Sequence, residues 1–397
     1  MDFHTAEPGD VVAGRVTDVY FARTEEALRR RGVDRAVRAE FVSKRLPDGS
    51  PRAVLIGVDD VVALAEEAGL DVTIRALPEG ALFGPSDPVL DIEGRYLEFG
   101  RFETAFLGLL CQASGVATRA ARCRLAAAGR PVICFGARRV HPLLAPAVER
   151  WAWEGGADGV AAIASAERLG LEPSGTMPHA LVLLVGDTVD AARALHESMP
   201  EGVPRVALVD TLADERFETL RVAEALGSAL SAVRLDTPAS RRGDLLTILR
   251  EVRWELDLRG FPHVRLFASG GLDDAEIRRL NPVADGYGVG TFLTNAPPVD
   301  VSMDLVEIDG RPASKRGKPS GAKSVLRCDA CGAVRVVPRA ARPARCPCGG
   351  TASDLLETVF ENGRRRRPPS PPRAVRDRVV AGIESGGLDR LGEGEPR

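Results

Sequence analysis

Two glycine-rich loops in the second half of the chain could bind a phosphate group. Residues 269–271 (SGG) and 288–291 (GVGT) each follow a short apolar run that indicates a buried strand. Glycine lets backbone N–H groups approach a phosphate closely. The alternative is that these glycines only form tight turns of a barrel. Two consecutive glycine-rich loops at the positions of a barrel phosphate site favour phosphate binding instead. The residues assigned to the phosphate are Gly270, Gly271, Gly288, Gly290 and Thr291.

An arginine and an acid end the run SAVRLDT (231–237). Arg234 and Asp236 alternate with apolar residues, so both side chains point to the same side of the predicted strand. Burying these charges is costly unless they meet a ligand or each other, so a structural ion pair is the alternative to a ligand site. The following loop adds donors for an anionic ligand, namely Thr237, Ser240, Arg241 and Arg242.

The segment CFGARRVHP (134–142) offers a third set of candidates. Arg138, Arg139 and His141 suit a polyanionic substrate. Phe135 offers an aromatic face to a flat ring, although packing in a core would explain it equally well. His179 lies in SGTMPHALVLLVG (174–186), at the start of a predicted strand. A lone histidine there is more often a capping or packing residue.

Four cysteines near the C-terminus form two pairs. The spacing Cys328-x-x-Cys331 with Cys346-x-Cys348 predicts a four-thiolate Zn²⁺ site, although the second pair is one residue shorter than usual. Such a closed site leaves no open position on the metal, so its role is structural. The other three cysteines lie in apolar contexts and are predicted to be inert buried thiols: Cys111, Cys123 and Cys134.

Alternating strand and helix patterns must position the candidates. Seven apolar runs between residues 130 and 291 predict an α/β fold with an irregular or incomplete β/α barrel. One of them is HALVLLVG (179–186), and a long helical region (98–128) with a break near Ser114-Gly115 precedes them. The predicted regions are 1–115, an N-terminal mixed α/β domain completed by 298–325; 116–297, the barrel; 326–360, the four-cysteine zinc module; and 361–397, a basic, proline-rich linker and flexible tail.

Bulk properties exclude several classes of protein. The net charge of −3 creates no global field for nucleic acid, and the run Arg364–Arg367 is interpreted as a solvated linker. No apolar run is long enough to cross a membrane. The N-terminus is acidic without an apolar core, which argues against a secretory signal. Because nothing indicates a disulfide framework, we expect a cytoplasmic protein.

At these residues the sequence resembles a known family. FGARRVHP, GTMPHAL, VRLDTPASRRGD, SGGLDD and GVGT, in this order and spacing, resemble nicotinate phosphoribosyltransferases. Residues 77–110 are similar to that family's N-terminal region, and the resemblance covers residues 8–325. The cysteine module makes the chain similar to the shorter archaeal-type branch. The resemblance implies a type II phosphoribosyltransferase fold and a homodimer with its active site at the subunit interface.

The resemblance also implies a reaction and roles for residues. Nicotinate and phosphoribosyl pyrophosphate give nicotinate mononucleotide and pyrophosphate, with Mg²⁺, and ATP hydrolysis drives the reaction through phosphorylated His179. Asp236 and Arg234 would act at the ribose and the leaving group. Nicotinate would stack between Phe135 and a partner-subunit tyrosine at the position of Tyr20. The remaining substrate-binding positions are Arg138, Arg139, His141, Ser165, Thr176 and Ser240.

Two other functions compete with this interpretation. Quinolinate phosphoribosyltransferase shares the fold and product, but it needs cations for two carboxylates and has no phosphorylated histidine, so GTMPH argues against it. In nicotinamide-using relatives an acid at the end of the second barrel strand reads the amide. This chain has Ser165 there, with Glu167 close by, and the absence of an acid at the strand end favours nicotinate because an acid would repel its carboxylate. A non-catalytic, nucleotide-sensing regulator that contacts nucleic acid is the second alternative, and the intact Arg234 and Asp236 argue against it.

Overall fold

The computed structural model describes residues 3–241 and 243–389. Arg242 of the predicted anion loop and the end of the predicted flexible tail lie outside these residues. The chain forms two compact units. The first combines the residues up to Thr118 with those from Pro297 onward, and the second is Arg119–Ala296. Among the described residues, no helix combines the length and the apolar character that crossing a bilayer requires.

Strands and helices are numbered in chain order over the described residues. The strands are β1 Ala36–Ser43, β2 Ala53–Val54, β3 Val72–Ala76, β4 Leu82–Phe83, β5 Pro88–Arg95, β6 Val132–Cys134, β7 Gly159–Val160, β8 Val206–Leu208, β9 Ala232–Leu235, β10 Arg265–Ala268, β11 Gly286–Val289, β12 Val301–Ile308, β13 Arg311–Pro312, β14 Lys323–Cys328, β15 Val334–Pro338, β16 Ala352–Asp354, β17 Glu357–Glu361 and β18 Arg364–Arg365. The helices are α1 Pro8–Val12, α2 Val19–Arg30, α3 Val58–Glu67, α4 Tyr96–Phe99, α5 Glu103–Ala127, α6 Ala145–Glu154, α7 Ile163–Leu169, α8 His179–Val185, α9 Thr188–Ser198, α10 Glu215–Leu226, α11 Leu245–Leu258, α12 Asp274–Leu280, α13 Thr291–Thr294 and α14 Pro372–Glu384.

A seven-stranded antiparallel sheet is the centre of the first unit, in the order β13-β12-β1-β5-β3-β17-β18. Ala39 and Phe41 of β1 alternate with charged residues and belong to the apolar core. The charged residues are buried as well: Arg38 Nη1 lies 2.7 Å from Asp91 Oδ1 of β5, and Arg75 of β3 pairs with the same carboxylate. The sheet therefore has an apolar face and a charged face that is also covered.

The long helix α5 corrects one prediction. It continues through Ser114 and Gly115, where a break was predicted. Ser114 Oγ accepts a hydrogen bond from the Ile56 N–H at 3.1 Å. A Cβ at Gly115 would lie 2.3 Å from the Pro297 carbonyl oxygen. The glycine therefore permits close backbone packing, and it does not end the helix.

A six-stranded parallel sheet forms the second unit, in the order β7-β6-β11-β10-β9-β8. Helices follow the strands, so this unit is a half-barrel, and the predicted α/β fold with an incomplete barrel is confirmed. One predicted strand is wrong, because HALVLLVG folds as helix α8 with Leu183 and Leu184 exposed. A short apolar run fits either structure, and periodicity alone cannot distinguish them.

The segment predicted as a linker and tail contains ordered structure. Residues 364–365 form β18, and helix α14 buries Val375, Val379 and Ile383. Within the region predicted as a linker and tail, the structure thus has a packed helix at Pro372–Glu384. These three residues are four apart and form one apolar stripe, which is the pattern of an amphipathic helix.

Candidate active site

A cleft of about 880 Å³ lies at the carboxyl ends of the parallel strands. Strands β6, β9, β10 and β11 end immediately before residues that line it. This edge is where half-barrels and open α/β sheets carry their sites. The predicted residues that line the cleft are Phe135, Arg138, Arg139, Thr176, His179, Arg234, Asp236, Gly270, Gly271, Gly288, Gly290 and Thr291.

Asp236 receives contacts from three sides of the cleft. Its Oδ1 accepts a hydrogen bond from Ser269 Oγ at 2.6 Å. Its Oδ2 lies 3.5 Å from Arg234 Nη2 and 3.6 Å from His179 Nε2. The side chain is 21% exposed, so the carboxylate is oriented and still reaches the cleft.

His179 is the first residue of helix α8, and Pro178 precedes it as the N-cap. Its Nδ1 lies 2.9 Å from Thr211 Oγ1, while Nε2 faces Asp236. The side chain is 43% exposed. The imidazole is thus held through one nitrogen and open to the cleft, which is the arrangement that a nucleophilic or phosphate-accepting histidine needs.

Arg234 is a largely buried cation beneath the cleft. It donates a hydrogen bond to Thr176 Oγ1, and its guanidinium lies 5.8 Å from the centre of the Phe135 ring. Burial lowers the pKa of Arg234 from its ordinary value, while the neighbouring carboxylates of Asp236 and Asp210 oppose this shift. An arginine stays charged even so, and it contributes a fixed positive charge to the cleft.

The glycines of the two loops allow close backbone approach. Gly270 has φ +89°, and a Cβ there would lie 2.9 Å from the Asp236 carbonyl oxygen. Gly271 also has a positive φ, of +73°. Because side chains are disfavoured at these angles, the loop keeps its backbone accessible beside Asp236.

Sequence reasoning missed several residues of this cluster. Asp210 follows β8, and its Oδ2 accepts hydrogen bonds from the N–H of Asp236 and from Thr237 Oγ1, both at 3.1 Å. Burial raises the pKa of Asp210 above its ordinary value, while His179 opposes the shift. The signal was its position at the end of the run RVALVDT, like Asp236 in the next run. Arg119 also lines the cleft and lies 4.2 Å from the centre of the Phe292 ring.

Several predicted residues do not line the cleft, and Thr237 and Arg241 of the predicted anion loop are among them. Tyr20 belongs to the first unit, where it is 56% exposed on α2. His141 and Ser240 are absent from the cleft wall. Ser165 is buried in α7, because β7 ends at Val160 and Ala161 lines the cleft in its place.

The four C-terminal cysteines come together in the first unit. Their sulfur atoms lie within 4.8 Å of one another, with Cys328 and Cys348 at 3.4 Å and Cys331 and Cys346 at 3.8 Å. Tetrahedral zinc with Zn–S bonds near 2.3 Å places sulfurs about 3.8 Å apart, so the donor set fits a Zn²⁺ ion. Of the other cysteines, Cys123 and Cys134 are buried, and burial raises the pKa of Cys134 to about 12.

Comparison with known proteins identifies the class. Family profiles for quinolinate phosphoribosyl transferase match residues 18–114 (N-terminal domain) and 116–304 (C-terminal domain). A nicotinate phosphoribosyltransferase of Mycobacterium tuberculosis is 32% identical over 356 residues, which is 79% of this chain and 78% of that protein. The crystal structure of nicotinate-nucleotide pyrophosphorylase from Pyrococcus furiosus is 45% identical, with a TM-score of 0.95 over 98% of this chain and 100% of that one. Human nicotinic acid phosphoribosyltransferase shares the fold at 22% identity, with a TM-score of 0.72 over 96% of each chain.

The half-barrel and the polar cleft at its strand ends thus belong to a phosphoribosyl-transferring enzyme. The chain is a member of the type II phosphoribosyltransferase family, and it is an enzyme of pyridine nucleotide synthesis. The curated relatives are named for nicotinate, and the matching family profiles are named for quinolinate.

Proposed function

We propose that the protein is a nicotinate phosphoribosyltransferase that couples the reaction to ATP hydrolysis. The bond between the ribose anomeric carbon and pyrophosphate breaks, and a bond to the nicotinate ring nitrogen forms. The observation that carries the proposal is His179, held by Thr211 with Nε2 facing Asp236 in the cleft. A phosphoryl group passes from ATP to the imidazole with release of ADP, and water later hydrolyses it to phosphate.

Asp236 is the group we assign to the ribose. Displacement at the anomeric carbon develops positive charge on the sugar, which an oriented carboxylate stabilises. The hydrogen bond from Ser269 fixes this carboxylate. The 5′-phosphate is assigned to the backbone around Gly270, Gly271, Gly290 and Thr291, which lines the same cleft.

Cations in the cleft suit the leaving pyrophosphate. Arg138 and Arg139 line the cleft and are exposed, so they are available to its oxygens. Asp236 and Asp273 also line it, which fits Mg²⁺ held by one or two carboxylates together with substrate phosphates. Such an ion would neutralise charge on the leaving group.

Nicotinate is assigned to the face of Phe135. The wall at the end of β7 is Ala161, which has no charge to repel a carboxylate. The nearby acid Glu149 is fully buried, and its two oxygens accept the N–H groups of Ala161 and Ala162 at 3.0 and 3.1 Å. The second face of the ring is assigned to Tyr20 from a partner subunit, which makes a homodimer part of the proposal.

Quinolinate phosphoribosyltransferase is the second candidate. Four arginines line the cleft, at positions 119, 138, 139 and 234, and this is enough positive charge for two carboxylates. A nucleic-acid-binding regulator has less support. Of its proposed basic run, Arg365, Arg366 and Arg367 are each paired with a carboxylate, at 2.8, 3.2 and 3.6 Å.

A product assay decides between the candidates. The purified protein is incubated with phosphoribosyl pyrophosphate and nicotinate, nicotinamide or quinolinate, each with and without ATP. We expect nucleotide from nicotinate and a higher yield with ATP. Product from quinolinate alone, independent of ATP, would establish the second candidate, and no product from any acid would refute both.

A further inference from the structure

We propose that Glu215 is a positioning residue that acts on Asp236 through Thr237. The inference rests on the proposed role of Asp236 in transfer. Glu215 is the first residue of helix α10, and its Oε1 is hydrogen-bonded to Thr237 Oγ1. Thr237 directly follows Asp236 and is only 9% exposed, so this contact is shielded from water.

Asp210 contacts the same two residues, Asp236 and Thr237. Its Oδ2 lies 3.1 Å from Thr237 Oγ1 and accepts the N–H of Asp236 at the same distance. The backbone that carries Asp236 is therefore fixed at two successive residues. The next two residues, Pro238 and Ala239, line the cleft, so the loop over the site starts from this fixed point.

The single proton of the Thr237 hydroxyl limits how it can bond to Glu215 and Asp210. Thr237 has one hydroxyl proton and meets two carboxyl groups, so it can donate to only one of them. When both hydrogen bonds form, one carboxyl group must supply a proton. A glutamine at position 215 can supply an N–H to the Thr237 oxygen in its place. The structure thus predicts that the conservative amide preserves the tether and that truncation removes it.

The test compares the variants Glu215→Ala, Glu215→Gln, Thr237→Val and Thr237→Ser in the full chain. Because misplacing a reacting group by about 1 Å can cost up to about a hundredfold in rate, we expect Glu215→Ala and Thr237→Val to lower kcat about ten- to a hundredfold. The KM for phosphoribosyl pyrophosphate should change less than kcat. Glu215→Gln and Thr237→Ser should stay within about threefold of the parent, and the Glu215→Ala/Thr237→Val double variant should be no slower than either single variant.

Controls separate this inference from the proposed function. Glu224→Ala removes an exposed acid from the same helix and should leave kcat unchanged. If Glu215→Ala does not fold, the comparison of Thr237→Val, which keeps the shape and loses the hydroxyl, with Thr237→Ser, which keeps the hydroxyl, decides alone. Equal kcat for that pair, or full activity of Glu215→Ala while Asp236→Asn is inactive, would overturn the positioning role and leave the function standing. A parent protein that makes no nucleotide would instead refute the function.

A second inference concerns the cysteine module and rests on separate observations in the first unit. We infer that metal binding at the four thiolates stabilises the seven-stranded sheet. The module is the three-stranded sheet β15-β14-β16 with its cysteine loops. The chain enters it after β13, at one edge of the seven-stranded sheet, and returns as β17 beside β3. The module therefore connects opposite sides of that sheet.

Buried ion pairs join the module to the charged face of the sheet. Lys323 Nζ of β14 lies 2.6 Å from Glu40 Oε2 of β1, with both side chains about nine-tenths buried. Arg75 of β3 donates a hydrogen bond to the Lys323 carbonyl oxygen at 3.2 Å and lies 3.9 Å from Asp354 of β16. Displacing the module would leave the buried Glu40 carboxylate without Lys323, which is strongly destabilising, and would leave Arg75 with Asp91 but without its module contacts.

The cysteines lie on, or directly next to, the strands that carry these contacts. Cys328 is the last residue of β14, which begins at Lys323. The loop with Cys346 and Cys348 leads directly into β16, and Asp354 Oδ1 accepts the Val325 N–H at 3.1 Å. A metal ion that joins the two cysteine pairs thus fixes both module strands that contact the sheet.

Hydrogen exchange and thermal unfolding test this second inference. Chelation of the full chain, or the double substitution Cys331→Ser/Cys348→Ser, should remove the metal and lower the Tm by about 5 °C, a shift that corresponds to one or two kcal/mol. Amides of β1 and β3 should exchange faster, while those of β9 and β10 should not change. Arg335→Ala alters an exposed residue of β15 and should have no effect. Loss of metal with unchanged Tm and exchange, or absence of metal from the parent, would refute it.

Discussion

The ring of Phe135 lies directly over Gly288. A Cβ at position 288 would be 2.4 Å from Cδ2 of Phe135, closer than real contacts allow. Gly288→Ala should therefore displace the ring and raise the KM for nicotinate about two- to tenfold, the equivalent of the roughly 0.5–1.5 kcal/mol of an aromatic contact. Steady-state kinetics with each substrate varied in turn measure this. Gly175→Ala, where an added Cβ has no neighbour within 4 Å, is the control. An unchanged KM would remove Phe135 from the nicotinate site.

Asp236→Asn should preserve the fold and lower turnover by about a hundredfold or more, the usual cost of losing a preorganised electrostatic contact. The amide keeps the shape of the side chain but not its charge. Turnover and a thermal melt are measured on the same preparation. Asp190→Asn removes an exposed acid of α9 and should behave as the parent. Activity of Asp236→Asn within a few fold of the parent would exclude Asp236 from the mechanism.

His179→Ala should abolish ATP hydrolysis and the ATP-driven gain in product. Slow ATP-independent transfer should remain, because Asp236 and the glycine loops are intact. Incubation with γ-labelled ATP should give acid-labile, base-stable label on the parent only. His263→Ala changes an exposed histidine and should still be labelled. Equal labelling of His179→Ala would place the acceptor elsewhere.

The four-cysteine cluster should hold about one zinc ion per chain, as tetrathiolate sites do. Elemental analysis after purification without chelators measures the content. The short C-x-C pair is compatible with this, since Cys346 and Cys348 each reach a sulfur of the other pair within 3.8 Å. Soluble, active protein with almost no metal would show that the thiols do not form a zinc site.

Glu79 should make stability depend on pH. Burial raises the pKa of Glu79 to about 7, although its oxygens accept the N–H groups of Gly57 and Asp59. The folded state holds the Glu79 proton more tightly than the unfolded state does. Protonated Glu79 therefore makes its full contribution to the free energy of unfolding below about pH 4.5. That contribution is lost as the pH rises toward 7, by roughly 3 kcal/mol at most. Denaturant unfolding from pH 5 to 8 should show the decline, and Glu79→Gln should flatten it. If the free energy of unfolding falls with pH equally in the parent and in Glu79→Gln, the decline comes from other groups.

The sequence predicted what depends on local pattern. The alternation of strands and helices and the positions of Arg234 and Asp236 at a strand end required only the period of apolar residues. Contacts between residues that are distant in the sequence could not be predicted from local pattern. Gly115 predicted a break in the helix, whereas its role is to allow close approach to the backbone of Pro297. Asp210 was overlooked because its role depends on the neighbouring parallel strand, and strand order is not readable from one strand alone. The run at 179–186 was ambiguous because its six apolar residues, 180–185, fit a strand or a helix equally.

The insertion of the half-barrel within the first unit has a consequence for synthesis of the chain. Strands β1, β5 and β3 are complete once Arg95 has been translated, but β12, the partner of β1, starts only at Val301. At about 5–20 residues per second, these strands wait roughly 10–40 s for their neighbours. During that time β1 and β3 are the open edges of a three-stranded sheet, and open edges recruit other chains. We therefore expect the ribosome-bound intermediate to associate with other chains more readily than the finished sheet, in which β1 and β3 each have neighbours on both sides.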